Sequence, residues 1–230
     1  MDKIPAIVWK ALAFGNIQVI PENFFEQYVY EKNKKVYVYD EGLHFLVHKA
    51  AIIKIVQLLR TPEKEDFERF VSFVKWYADN LIISESIITY AALIFGKVKG
   101  IQRPKKYNSN DLEKIVKGIE NQSWDMYYLS QWSTFYYIND NQKAFAFATD
   151  DVTLKMIIVN SIPPGQCFEL IGYVFKTKKQ VAILRDLFEN IFGKNRVKPF
   201  EINNEHVAVA IVNEVIRREM NEWERIVNNS

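Results

Sequence analysis

Acidic residues recur in this sequence where a short apolar run gives way to an expected helix. Asp40 directly follows Val36-Tyr37-Val38-Tyr39, and Glu85 comes two residues after Leu81-Ile82-Ile83. Asp150 and Asp151 follow Ala144-Phe145-Ala146-Phe147-Ala148, and Asp125 falls in the first turn of a helix expected to open at Trp124. If the three apolar runs are parallel strands of one sheet, their carboxyl ends share an edge and the acids converge there. Gathered carboxylates repel one another unless a cation lies between them. A hard divalent ion with oxygen ligands answers that need. Mg²⁺ or Mn²⁺ held in this way can activate a water and neutralise charge developing on a phosphodiester. Asp and Glu also open helices for a plainer reason, because they cap the first turn and favour its positive end. The acids therefore stand between two readings, a metal centre and a set of helix caps.

The elements that must position them follow from pattern. Residues 1–35 read as an N-terminal extension whose expected helix ends in Glu31-Lys32-Asn33-Lys34-Lys35. The β-branched and aromatic run at 36–39 has strand character, as do 81–83 and 144–148. Apolar residues at helical spacing predict helices over His44–Leu59 and over Pro62–Asp79, the second capped by Thr61 with proline in its first position. Further helices are expected from Ser84-Glu85 to Phe95, from Asp111 to Glu120 with Ser109 or Asn110 as cap, and from Trp124 to Ile138 with Ser123 as cap. Another runs from Val152 to Val159. Strands separated by helices predict an α/β fold, a three-layer α/β/α sandwich with a parallel central sheet over residues 36–162. Pro163-Pro164-Gly165 marks the boundary to a mainly helical C-terminal extension, 163–230. That extension has a mixed stretch at Phe168–Phe175 and helices near Lys178–Phe192 and Asn204–Val227, and it packs on the core or on a second copy.

Four segments together resemble the PIN-domain superfamily of nucleases. They are Val36-Tyr37-Val38-Tyr39-Asp40, Ser84-Glu85-Ser86-Ile87, Trp124-Asp125-Met126-Tyr127-Tyr128-Leu129, and Phe147-Ala148-Thr149-Asp150-Asp151-Val152-Thr153-Leu154. The resemblance covers about residues 36–160, and its last motif is the most specific. It implies Mg²⁺- or Mn²⁺-dependent cleavage of RNA, in relatives that act as toxins paired with an antitoxin or in RNA processing. By position, Asp40, Glu85 and Asp151 would hold the metal, with Asp125 assisting through a ligand or a bound water. Asp150 competes with Asp151, and Thr149 would orient the loop or bond the attacking water.

Other residues bear on function. Lys97, Lys99, Arg103, Lys105 and Lys106 fall within ten residues that contain no acid, and Tyr107 adjoins them. Such a segment suits phosphate contact with a base stacked on the ring, and it is equally the pattern of an ordinary solvated loop. The aromatic residues Tyr127, Tyr128, Trp132, Phe135, Tyr136 and Tyr137 recur at helical spacing and read as packing. His44, His48 and His206 have no metal-ligand company and read as surface or satisfied, partly buried histidines. Cys167 is the lone cysteine, which excludes an internal disulfide and a cysteine-rich zinc site, and beside Phe168 it reads as a small core residue. No nucleophile elbow or phosphate-binding glycine loop occurs.

With 49% hydrophobic and 14% aromatic residues in 230, material for a core is ample. A net charge of +2 leaves any nucleic-acid surface to be local. No window of about 18 uncharged apolar residues suggests a membrane span, so the expectation is a soluble, cytoplasmic protein. The sequence reading is thus a metal-dependent endoribonuclease of PIN type, a toxin or defence effector that meets RNA, an antitoxin or other protein partner, or a second copy as a homodimer. Two rivals stand beside it: a catalytically inactive PIN-like binding or scaffold protein, and a nuclease cutting structured DNA.

Overall fold

Leu43–Arg60 and Glu85–Phe95 carry apolar residues on nearly every side, and a helix of that kind must be enclosed by others. They form the centre of the computed structural model, which describes residues 42–61, 64–138, 147, 149–161, 166–193, 198–200 and 204–228. In chain order the helices are α1 (Leu43–Arg60), α2 (Asp66–Asn80), α3 (Glu85–Phe95), α4 (Leu112–Ile138), α5 (Val152–Ser161), α6 (Gln166–Val174), α7 (Lys178–Phe192) and α8 (Glu205–Asn228). From Ser86 to Phe95 every residue of α3 is buried. α1 is buried along most of its length, including Phe45, Ile52, Ile55 and Val56 at 0% exposure.

Around this pair the other helices are arranged by contact. α8 and α4 pack along α1, α5 and α6 pack on α3, and α2 touches both central helices and carries α7. The α1–α4 seam is aromatic, with Phe45 stacked on Trp124 at 4.1 Å and edge-on to Tyr127. Phe175, just beyond α6, meets Phe67 and Phe70 of α2. α8 closes against α1 and α2 through Glu219, which is 2% exposed. Its carboxylate accepts from Lys54 Nζ at 2.8 Å, Trp76 Nε1 at 2.9 Å and Arg218 Nη2 at 3.0 Å. Gln57 donates to its carbonyl. Burial pushes the Glu219 carboxyl up, but Lys54, Arg218 and Trp76 outweigh it and the net pKa falls below the usual range.

The expected α/β/α sandwich is overturned: every regular element among the described residues is a helix, and no strand or sheet occurs there. Leu81–Ile83 is a connector between α2 and α3. Its Leu81 N–H donates to Tyr77 O at 3.0 Å, and Ser84 N–H donates to the Tyr77 hydroxyl at 3.1 Å. A short apolar run reads as a strand in sequence because periodicity cannot separate it from a buried link between helices. The strand expected at 36–39 lies outside the described residues, as does most of 144–148; Phe147, the described part, is not in a strand.

Helix boundaries shift for identifiable reasons. Thr61 ends α1 instead of opening α2, its hydroxyl donating to Gln57 O at 3.1 Å. Ser123 is buried inside one continuous 27-residue α4, where its hydroxyl donates to Ile119 O at 2.7 Å. The mixed stretch at 168–175 is largely helix α6. Among the described residues no helix is long and apolar enough to cross a membrane.

Candidate functional site

Between α3 and α4 the chain runs from Gly96 to Asp111 without regular structure, yet it is fixed along its length. Tight turns fold it: Ile101 N–H donates to Val98 O at 3.3 Å, Tyr107 N–H to Pro104 O at 3.2 Å, and Ser109 N–H to Lys106 O at 2.9 Å. The fully buried Tyr90 of α3 donates its hydroxyl to Gln102 O at 3.1 Å. Gln102 N–H in turn donates to Thr153 Oγ1 of α5 at 2.8 Å. Arg60, at the end of α1, donates to Ser109 O at 2.5 Å. Gly118 of α4 admits the Lys105 carbonyl so closely that a Cβ there would lie 1.8 Å from its oxygen. Helices α1, α3, α4 and α5 thus hold the loop's backbone, while its cationic side chains stay outside.

Lys97, Lys99, Arg103, Lys105 and Lys106 are all exposed, and Pro104 among them is buried. Lys97 and Lys106 have φ of 52° and 59°, the left-handed region that L residues enter at a cost of about 1 kcal/mol or more. That strain persists because the surroundings over-determine the path. Lys97 Nζ pairs with Asp66 at 2.5 Å, a largely exposed pair of small energetic weight. Arg103 donates to the Tyr107 hydroxyl at 2.5 Å, with its guanidinium 5.3 Å from the centre of that ring. Arg103 and Tyr107 also line an open cleft of about 440 Å³, together with Leu93, Ile94, Lys97, Val98 and Ile101.

The acids meet different fates. Asp151 caps α5: its Oδ1 accepts from Thr153 N–H at 2.6 Å and Leu154 N–H at 3.2 Å. Thr149 Oγ1 accepts from Asp151 N–H, so the hydroxyl serves the cap. Asp150 is exposed and 3.7 Å from Lys155. Glu85, in the first turn of α3, lies against Cys167, whose thiol is pushed up by burial and further by that carboxylate. Asp40 lies outside the described residues.

Asp125, half-buried on α4, feels the charge of Asp151. Its carboxyl is pushed up by burial and then by Asp151, with Lys105 opposing. Tyr90 is pushed up by burial and then by the same two carboxylates, with Arg103 opposing. Asp125, Asp151 and Lys105 thus lie within electrostatic reach of one another, and both carboxylates and Arg103 act on Tyr90. Among the described residues no group of three or more His, Cys, Asp or Glu side chains is placed to hold a metal ion.

Sequence reading missed Tyr90 and Gln102 and named Thr153 only within the acidic motif; all three join the loop only through the tertiary fold. Gly118 did leave a signal, since an isolated glycine inside a helical pattern marks a close backbone approach. Compared with protein families, with curated proteins and with solved structures, the chain matches none.

Proposed function

We propose that this chain binds single-stranded RNA along the loop at residues 97–107. The observation that supports this is the loop itself: five exposed cations carried on a backbone fixed by four helices, with no acid between Phe95 and Asp111. A solvated surface loop needs no such anchoring, and pre-positioned cations lose less freedom when a phosphate chain arrives. Lys99, Arg103, Lys105 and Lys106 are the principal phosphate contacts, because Lys97 is already engaged by Asp66. Each contact to a single strand contributes about −0.7 to the slope of log affinity against log salt. Replacing those four residues with Gln flattens the slope by about 2.8, from the same contribution per phosphate. Fluorescence anisotropy of a labelled RNA strand across a salt series measures it, and an unchanged slope would place the RNA elsewhere.

A second reading, metal-dependent cleavage of the bound strand, is favoured by the approach of Asp125 and Asp151 beside Lys105. Mg²⁺ sites are commonly made by one or two carboxylates and completed by substrate phosphates and water, so this pair suits Mg²⁺ or Mn²⁺ better than the four-acid set the sequence suggested. Asp151 has one carboxylate oxygen committed to capping, which leaves Asp125 as the principal ligand. Under this reading Mn²⁺ raises the melting temperature of the parent, and Asp125→Asn abolishes that shift. A parent indifferent to Mn²⁺ removes the metal reading and leaves RNA binding standing.

A further inference from the structure

We infer that the cleft lined by Arg103 and Tyr107 receives one unstacked base of the bound strand, an inference that rests on the RNA-binding reading above. Phosphate contact alone needs a ledge of cations; it does not need a hollow with apolar side chains in its wall. Here the hollow lies directly beside the ledge and has about 440 Å³ of space, within the range of small-ligand pockets. Val98 and Ile101, half-buried in its lining, leave part of their apolar surface for the face of a base, which prefers it over water.

Its rim supplies the rest. The Arg103 guanidinium and Tyr107 ring sit together at 5.3 Å, and both surfaces accept a stacked base. Lys97 lines the same cleft, and its positive φ is part of the turn that forms the hollow's edge. With Lys99 two residues on, cations flank the position a single base would occupy. A duplex keeps its bases paired and stacked inside, so this geometry selects a single strand.

The test compares a short RNA strand with the same ribose-phosphate strand lacking its bases, by anisotropy with the full chain. Stacking of one base predicts that the base-bearing strand binds about 5- to 150-fold more tightly. Val98→Phe and Ile101→Trp, each filling the cleft from a half-buried position, should reduce that ratio towards one while the salt slope is kept. Tyr107→Leu, which adds no volume, should reduce it as well, and it covers the case in which a filling variant fails to fold. Equal binding of the two strands by the parent overturns the base-binding inference and leaves the phosphate ledge intact. Binding of neither strand overturns the reading on which it rests. A full preference retained in folded cleft variants also overturns the inference.

Discussion

His48 is buried at 3% exposure in the middle of α1, and its two ring nitrogens differ. Nδ1–H donates to His44 O at 2.5 Å, whereas Nε2 has no hydrogen-bond partner. A proton on Nε2 would thus sit in a dry site with no acceptor, and burial lowers the pKa to about 4, with the His44 carbonyl opposing and the His44 ring adding slightly. The unfolded chain binds this proton near pH 6.5, so the folded state binds fewer protons between about 6.5 and 4. Stability from this group is complete above pH 6.5 and is lost as pH falls towards 4, by about 2 kcal/mol at pH 5 on the 1.36 kcal/mol-per-unit scale. Urea unfolding of the parent and of His48→Leu between pH 7 and 5 checks it. The variant should lose most of the slope in that window whatever its absolute stability, and a slope equal to the parent's would assign the acid sensitivity to other groups.

At the scale of elements, α4 does two jobs that pull its sequence in different directions. It must run unbroken for 27 residues beside α1, and near its start it must let the basic loop lie against its backbone. Gly118 meets the second demand at the expense of the first. In an open helix Gly→Ala stabilises by about 1 kcal/mol. Here the new Cβ would meet the Lys105 carbonyl oxygen at 1.8 Å, which nothing short of moving the loop relieves. Gly118→Ala should therefore destabilise the chain by about 1–3 kcal/mol, the range of overpacked sites. It should also weaken RNA binding, because Lys105 and Lys106 are displaced with their backbone. Melting curves and anisotropy on one preparation test both effects. A stabilised variant with unchanged affinity would mean that the loop is not held at Gly118.

For the whole molecule, α8 is the outer wall of α1 and not an appendage. Val212, Val215 and Trp223 are buried at 0%, 5% and 1% exposure, and Glu219 is the acceptor for Lys54 and Trp76. Burying three such apolar side chains is worth about 5–9 kcal/mol, taking roughly 1.5–3 for each. That approaches the 5–15 kcal/mol or so by which an entire domain is stable. A chain ending at residue 203 should be insoluble or lack a cooperative melt, with the apolar face of α1 and the Lys54 ammonium uncovered. Calorimetry on that fragment decides the matter, and a cooperative transition at the parent's temperature would make α8 dispensable.

The sequence by itself determined the elements whose instructions are local. A helix expected near Lys178–Phe192 is found there, and its start is set locally by the Thr177–Gln180 capping box. The last helix, expected over Asn204–Val227 from its apolar spacing and found at Glu205–Asn228, was legible as well, and the charge run at 97–106 is a matter of composition alone. The sequence also named Asp125, Asp151 and the five cations, without showing which of them meet. Tertiary structure alone decided that Leu81–Ile83 is a link, that α3 is a core helix, that Asp151 spends an oxygen on a cap, and that Glu85 faces Cys167. An apolar run states that it must be buried, not by what, and a carboxylate states its charge, not its neighbour. Those choices depend on partners tens of residues away in the chain, such as Thr153 for Gln102 and Gly118 for Lys105, which local propensity does not encode.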